Sequence, residues 1–169
     1  MEKRHFETFY QRFFGRIYKF VFYRVGGNRE WARDLTQDIF LKAFEAFERY
    51  DPARGEVAWI YTIARNHISN AYAKVRPTTD LEEVEDHIRV STDARETSVT
   101  RDEEKRLLAA ILELPSDDAQ LISMKYLEGW SFDELVEILG KKSGALRVQA
   151  NRAMKKLRII ILAKKRISS

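Results

Sequence analysis

The chain has 169 residues, 44% hydrophobic and 33% charged, with 7 glycines, 3 prolines and no cysteine. That length suits one ordinary domain or two small ones, and the apolar share argues against wholesale disorder. The missing cysteine excludes disulfides, thiolate catalysis and cysteine-ligated zinc together.

No stretch approaches the roughly 20 apolar residues of a membrane span. The longest apolar run is residues 107–112. The opening Met1-Glu2-Lys3-Arg4-His5 leads into aromatics mixed with charges, unlike a signal peptide. A cytoplasmic location and no membrane span are expected. Few glycines and prolines lean the chain towards helices.

Phe6, Phe9, Tyr10, Phe13, Ile17, Phe20 and Val21 recur at helical spacing, the pattern of a core-facing stripe. Gly26-Gly27-Asn28 breaks this first helix. A second helix is predicted from about Trp31 to Tyr50. Leu35, Ile39, Ala43, Ala46 or Phe47, and Tyr50 make its buried face. A second stripe, Gln37, Phe40, Leu41 and Phe44, lies beside it, rimmed by Asp34, Asp38, Glu45 and Glu48. Either this helix is central in its bundle or the second stripe docks a protein partner.

Asp51-Pro52 stops that helix, and Ala53-Arg54-Gly55 makes a turn. A third helix is predicted from near Glu56 to about Lys74. Val57, Ile60, Ala64, Ile68 and Ala71 face inward. Tyr61, Arg65, Asn66, Ser69, Asn70 and Lys74 are left outward. Such side chains can stack on bases and bond their edges, although exposed helix faces often have this composition. Trp59 reads as core rather than as a stacking platform.

Residues 76–104 hold 4 basic and 10 acidic side chains and open at Pro77-Thr78-Thr79. Their apolar residues are sparse, so a mostly irregular tether is expected. Beyond it, Leu107, Leu108, Ile111 and Leu112 make an amphipathic stretch ended by Leu114-Pro115. Ser116 is expected to cap the next helix, with Asp117 and Asp118 in its first turn and Gly129 after it. Ser131-Phe132-Asp133-Glu134 is a capping box. It opens a short helix that buries Phe132, Leu135, Val136 and Leu139 and stops at Gly140.

The last helix has Ser143 as its expected N-cap and turns Leu146, Ala150, Ala153 and Leu157 inward. Arg147, Gln149, Asn151, Arg152, Lys155 and Lys156 point outward. A short helix, a glycine turn and a basic second helix describe a helix-turn-helix. Arg can read guanine, Asn and Gln adenine, and Lys neutralises phosphates. A helical hairpin with a solvated basic face is the plainer alternative.

Charge follows the same division. Residues 1–75 carry 13 basic and 9 acidic groups, and residues 105–169 carry 13 and 7. Residues 140–169 carry 10 basic groups and no acidic one, which suggests a polyanionic partner. A basic tail that aids solubility has the same composition. An enzyme fits poorly. Gly140-Lys141-Lys142-Ser143 lacks the earlier glycine of a phosphate loop, with Leu135 in that place, and His5, His67 and His87 lack ligand spacing.

These residues carry a resemblance. In the first part, Arg24-Val25-Gly26-Gly27-Asn28-Arg29-Glu30, Ala32-Arg33-Asp34-Leu35-Thr36-Gln37-Asp38-Ile39-Phe40 and Ala58-Trp59-Ile60-Tyr61-Thr62-Ile63-Ala64-Arg65-Asn66 are similar to conserved region 2 of a family. In the second, Leu114-Pro115, Gly129-Trp130-Ser131-Phe132-Asp133-Glu134-Leu135, Gly144-Ala145-Leu146-Arg147-Val148 and Arg152-Ala153 are similar to its region 4. The chain resembles bacterial sigma factors of the small extracytoplasmic-function (ECF) type, in the sigma-70 family, over nearly its whole length. Three positions depart from the pattern. Asn70 stands where many relatives have Asp, the Arg-rich run that often follows is reduced to Lys74 and Arg76, and Asn151 stands where His or an aromatic is common.

The resemblance implies an all-α chain of two small domains. Residues 1–75 would be the region 2 bundle, 76–104 the acidic linker, and 105–169 the region 4 helix-turn-helix. It implies a transcription initiation factor that binds core RNA polymerase, recognises the promoter minus-thirty-five and minus-ten elements and promotes melting. Asp34, Gln37, Asp38, Leu41, Phe44 and Glu45 would meet the clamp helices of the polymerase largest subunit. Arg54, Tyr61, Arg65, Asn66, Asn70 and Lys74 would hold the melted minus-ten strand. Arg147, Val148, Asn151 and Arg152 would read the minus-thirty-five duplex, with Lys141, Lys142, Lys155 and Lys156 on its phosphates. Promoter DNA and core polymerase are the expected partners, and relatives are often held by an anti-sigma factor. No catalytic centre, metal or cofactor is expected. A polymerase-independent helix-turn-helix regulator is the alternative reading.

Overall fold

The structure, a computed structural model, describes residues 2–75 and 98–167. The backbone divides into two compact units, Met1–Arg89 and Val90–Ser169. Every regular element among the described residues is helical. Residues 76–97 of the expected tether, with Arg76, lie outside the described residues.

The first unit packs α1 (Glu2–Arg24), α2 (Arg29–Ala46) and α3 (Glu56–Val75). Gly26 and Gly27 take φ of 66° and 82°, which only glycine adopts readily, so the chain turns sharply after α1. The Asn28 side chain then accepts from the Trp31 amide at 3.0 Å and caps α2. At the far end, the Tyr72 hydroxyl of α3 donates to the Arg24 carbonyl at 2.6 Å and tethers α3 to the end of α1.

Aromatic rings fill the middle. Phe9 lies 4.8 Å from Phe13 and 5.6 Å from both Phe47 and Trp59, ring centre to ring centre. Such pairs add about 0.5–1.5 kcal/mol beyond the area they bury. They also explain why α2 stops at Ala46, short of the expected Tyr50. The chain tightens into a 3-10 turn, Phe47–Arg49, that brings the Phe47 and Tyr50 rings onto Trp59, at 6.1 and 4.7 Å.

One outward assignment is corrected and one open choice is resolved. Tyr61 is 0% exposed, with its ring 5.0 Å from Phe20, so α3 buries it beside Ile60. Tyr61 widens the buried stripe of α3 by one residue. Phe40 is 3% exposed and packs on Tyr10 and Phe14 at 4.8 and 5.9 Å. It belongs to the core, so α2 is central in its bundle.

His67 joins α3 to α2. Its Nε2 lies 3.3 Å from Asp38 Oδ2, out of hydrogen-bond alignment. Burial pushes the imidazole below its ordinary value, and the Lys42 and Lys74 charges add to this, while Asp38 opposes it.

The second unit contains α4 (Ser98–Leu112), α5 (Ser116–Ile122), α6 (Phe132–Leu139) and α7 (Ser143–Ile167). A π-helical turn, Ser123–Leu127, follows α5. Helix α4 begins inside the segment read as tether. Asp102, Glu103 and Glu104 precede Lys105 and Arg106, and these charged residues are good helix formers apart from Asp. Pro115, not Ser116, holds the cap position of α5, and Ser143 is likewise the first helical residue of α7. The core joins α4, α5 and α7 through Ala110, Ile111, Leu114, Ala119, Ile122, Ala153 and Leu157.

Two predictions follow from this packing. Tyr61→Ala should destabilise the first unit by about 3–5 kcal/mol, as large-to-small core changes do. A surface base-stacking residue would change thermal unfolding little. The second concerns His67. A group with a depressed folded-state value stabilises above its unfolded value, near 6.5, and that stability is lost as pH falls through the folded value. Hydrogen exchange in α3 should therefore speed up from about pH 7 to about pH 5 once corrected for intrinsic rates, and His67→Gln should flatten that trend.

Candidate protein and nucleic-acid interfaces

On α2, burial of Leu35, Ile39, Phe40 and Ala43 decides what remains outside. Leu41 and Phe44 are 58% and 46% exposed, large values for apolar side chains. The Phe44 ring still touches Phe6, 5.0 Å away, so it is braced from beneath. Asp34, Gln37, Asp38 and Glu45 are exposed along the same helix. An apolar patch with an anionic rim suits a protein partner with apolar and basic groups. Of the rim, Asp38 also faces His67 within the unit.

The loop before α3 is short and internally bonded. The Asp51 side chain accepts from the Ala53 amide at 3.0 Å, Pro52 sets the first φ of the 3-10 turn Pro52–Arg54, and Gly55 takes φ 70°. The Arg54 side chain lies outside the described ones. Asn66, Asn70 and Lys74 are exposed on α3 and Arg65 is half-buried. Tyr61 does not join them. Trp59 is partly buried among Phe9, Phe47 and Tyr50.

In the second unit, α6 starts on the expected capping box. Ser131 Oγ accepts from the Glu134 amide at 3.2 Å, and Glu134 Oε2 accepts from the Ser131 amide at 2.8 Å. Gly140 closes α6 at φ 65°. Helix α7 then buries Leu146, Ala150, Ala153 and Leu157 as one seam. The seam forces Arg147, Val148, Asn151, Arg152 and Lys155 outward, and all five are exposed. The Arg147 guanidinium lies 4.6 Å from the centre of the Phe132 ring, and Lys125 lies 5.0 Å from the same ring. Phe132, expected only as core, thus orients a predicted base-reading arginine.

Four predicted or outward-facing polar groups have partners within the unit. Lys156 Nζ donates to Asp118 Oδ2 at 2.8 Å, and Gln149 Nε2 donates to Asp118 Oδ1 at 3.0 Å. Lys141 Nζ reaches Gln149 Oε1 at 3.2 Å and Asp117 Oδ2 at 3.3 Å. Further along, Lys164 pairs with Glu113, just past the end of α4. Lys141 and Lys156, expected on the duplex phosphates, are exposed and also belong to an internal network. Lys142 and Lys155 form no ion pair with a described residue. Burial pushes the Asp118 carboxyl up, but bonds from Lys156 and Gln149 and the Lys156 and Lys141 charges outweigh it and hold it below its usual value. It stays ionised near neutral pH. The sequence signal for this network was weak: an acidic pair beside a proline reads as helix-start decoration.

Sigma-70 region 2 matches residues 9–78, and Sigma-70, region 4 matches residues 104–157. The chain is 30% identical over 156 residues to RNA polymerase sigma factor CarQ of Myxococcus xanthus, covering 92% of this chain and 88% of that protein. It is 27% identical over 155 residues to ECF RNA polymerase sigma factor BldN of Streptomyces coelicolor, covering 90% of this chain but only 58% of that protein. A solved structure of CnrH in complex with the cytosolic domain of CnrY shares the fold, with a TM-score of 0.67 at 22% identity over 95% of this chain and 90% of that one. No described helix is long and apolar enough to cross a membrane. Two matched regions in order, each on its own helical unit, place this chain among the ECF sigma factors of the sigma-70 family.

Proposed function

We propose that the chain is a dissociable initiation factor that divides its work between the two units and has no catalytic centre of its own. Residues 1–75 bind core RNA polymerase through Leu41 and Phe44 of α2, with Asp34, Gln37, Asp38 and Glu45 around them. The same unit holds the melted minus-ten strand with Arg54, Arg65, Asn66, Asn70 and Lys74. Residues 105–169 read the minus-thirty-five duplex in its major groove, and 76–104 join the two. Melting is driven by binding: bases held out of the stack gain about 1–3 kcal/mol each from stacking and pockets. The factor acts in the cytoplasm, and an anti-sigma factor is a natural regulator for its exposed apolar surfaces.

One observation carries the reading. A seam of Leu146, Ala150, Ala153 and Leu157 is buried, while Arg147, Val148, Asn151 and Arg152 stand exposed on the same helix. Arg147 suits guanine, Asn151 suits adenine, and the Val148 methyls suit a thymine methyl. Lys142 and Lys155 add phosphate contacts that salt weakens.

Arg147→Ala should weaken promoter binding by the polymerase complex by about 1–3 kcal/mol and relax preference at one base pair. An equal loss on scrambled duplex would reduce Arg147 to a phosphate contact. On the other unit, Leu41→Asp with Phe44→Asp should abolish co-elution with core RNA polymerase while leaving the helical circular dichroism intact. Undiminished co-elution would remove α2 from the polymerase interface.

A further inference from the structure

Asp118 is an unusual residue for the flank of a DNA-reading helix. It is 8% exposed, and both its oxygens are used by α7, one by Lys156 at 2.8 Å and one by Gln149 at 3.0 Å. It also lines a surface groove with Ala145, Val148 and Arg152, so its negative charge sits beside the very side chains assigned to the duplex.

We propose that Asp118 is a positioning residue that holds and partly neutralises Lys156 and thereby limits sequence-independent DNA affinity. This rests on the reading of α7 as the duplex-binding helix. Non-specific binding is the sum of cation-to-phosphate contacts. The Lys156 ammonium keeps N–H donors beyond the one on Asp118, so a phosphate can still bond to it, but only beside the Asp118 negative charge. Repulsion from that carboxylate offsets part of the attraction, so this lysine adds less than an unpaired one. Gln149 is committed too. Its amide nitrogen donates to Asp118 and its oxygen accepts from Lys141, which leaves it poorly placed to make the paired bonds that recognise adenine. The same carboxylate therefore selects which outward residues are left to the duplex: Arg147, Val148, Asn151, Arg152 and Lys155. Base contacts then supply a larger share of the total.

The full chain is titrated with a scrambled-sequence duplex across a salt series, followed by fluorescence anisotropy. Asp118→Asn keeps the shape and an acceptor but removes the charge. It should bind roughly three- to tenfold tighter at low salt, with the slope of log affinity against log salt steeper by about 1. Adding Lys156→Gln to that variant should return the slope to the parental value. A merely structural role for Asp118 predicts the reverse, weaker binding at an unchanged or shallower slope, and that result overturns the proposal. Two exposed lysines in the parental chain decide the matter even where Asp118→Asn does not fold. Lys155→Gln should flatten the slope by about 1, and Lys156→Gln by clearly less. Equal flattening by the two lysines would sink the proposal while leaving the reading of α7 in place. A parental chain that binds no duplex even at low salt would take down both.

Discussion

The second unit depends on one constraint: α7 must bury Leu146, Ala150, Ala153 and Leu157 along a single line. Two alanines at the centre of that seam let α7 approach its neighbours closely, and the leucines at its ends fill the wider gaps. Helical geometry does the rest. Once the seam is fixed, the rotation of α7 is fixed, and Arg147, Val148, Asn151, Arg152 and Lys155 have nowhere to go but outward. The capping box at Ser131 and the left-handed Gly140 set where α6 ends and α7 begins, and so fix where that outward set lies. The first unit obeys the same logic. Its aromatic core holds Phe40 in and thereby turns Leu41 and Phe44 out.

Electrostatics refine this arrangement. Counted along the chain, residues 140–169 are wholly cationic among their charged groups. In space, some of those cations meet carboxylates from elsewhere in the unit: Lys141 with Asp117, Lys156 with Asp118, and Lys164 with Glu113. The exposed pairs among them contribute little to stability. Their effect is on the surface, where they decide which cations remain to meet a polyanion.

Much of this was legible in the residues. Helix order, the capping box, the glycine stops and the α7 seam all come from local rules, in which each residue's position is set by neighbours three or four places away. The misses needed a third dimension. Tyr61 carries a polar hydroxyl, so periodicity alone sent it outward, and only Phe20 on another helix explains its burial. Phe40 lay in a second apolar stripe whose role was ambiguous until Tyr10 and Phe14 were seen against it. The early start of α4 was hidden by acidic composition that suits a tether as well as a helix. Asp118 is 38 positions from Lys156, and no local rule pairs residues at that separation. The apolar patch on α2 and the exposed face of α7 were both legible in the sequence, because each is the complement of a buried stripe.

The central claim is that this chain directs RNA polymerase to promoters. Run-off transcription tests it most directly: purified core polymerase, a library of genomic fragments from the source organism, and the chain added or withheld. The account predicts transcripts with defined start sites on a subset of fragments, appearing only when the chain is present. Duplex binding by the chain alone, with no start sites gained and no complex with core polymerase, would contradict it.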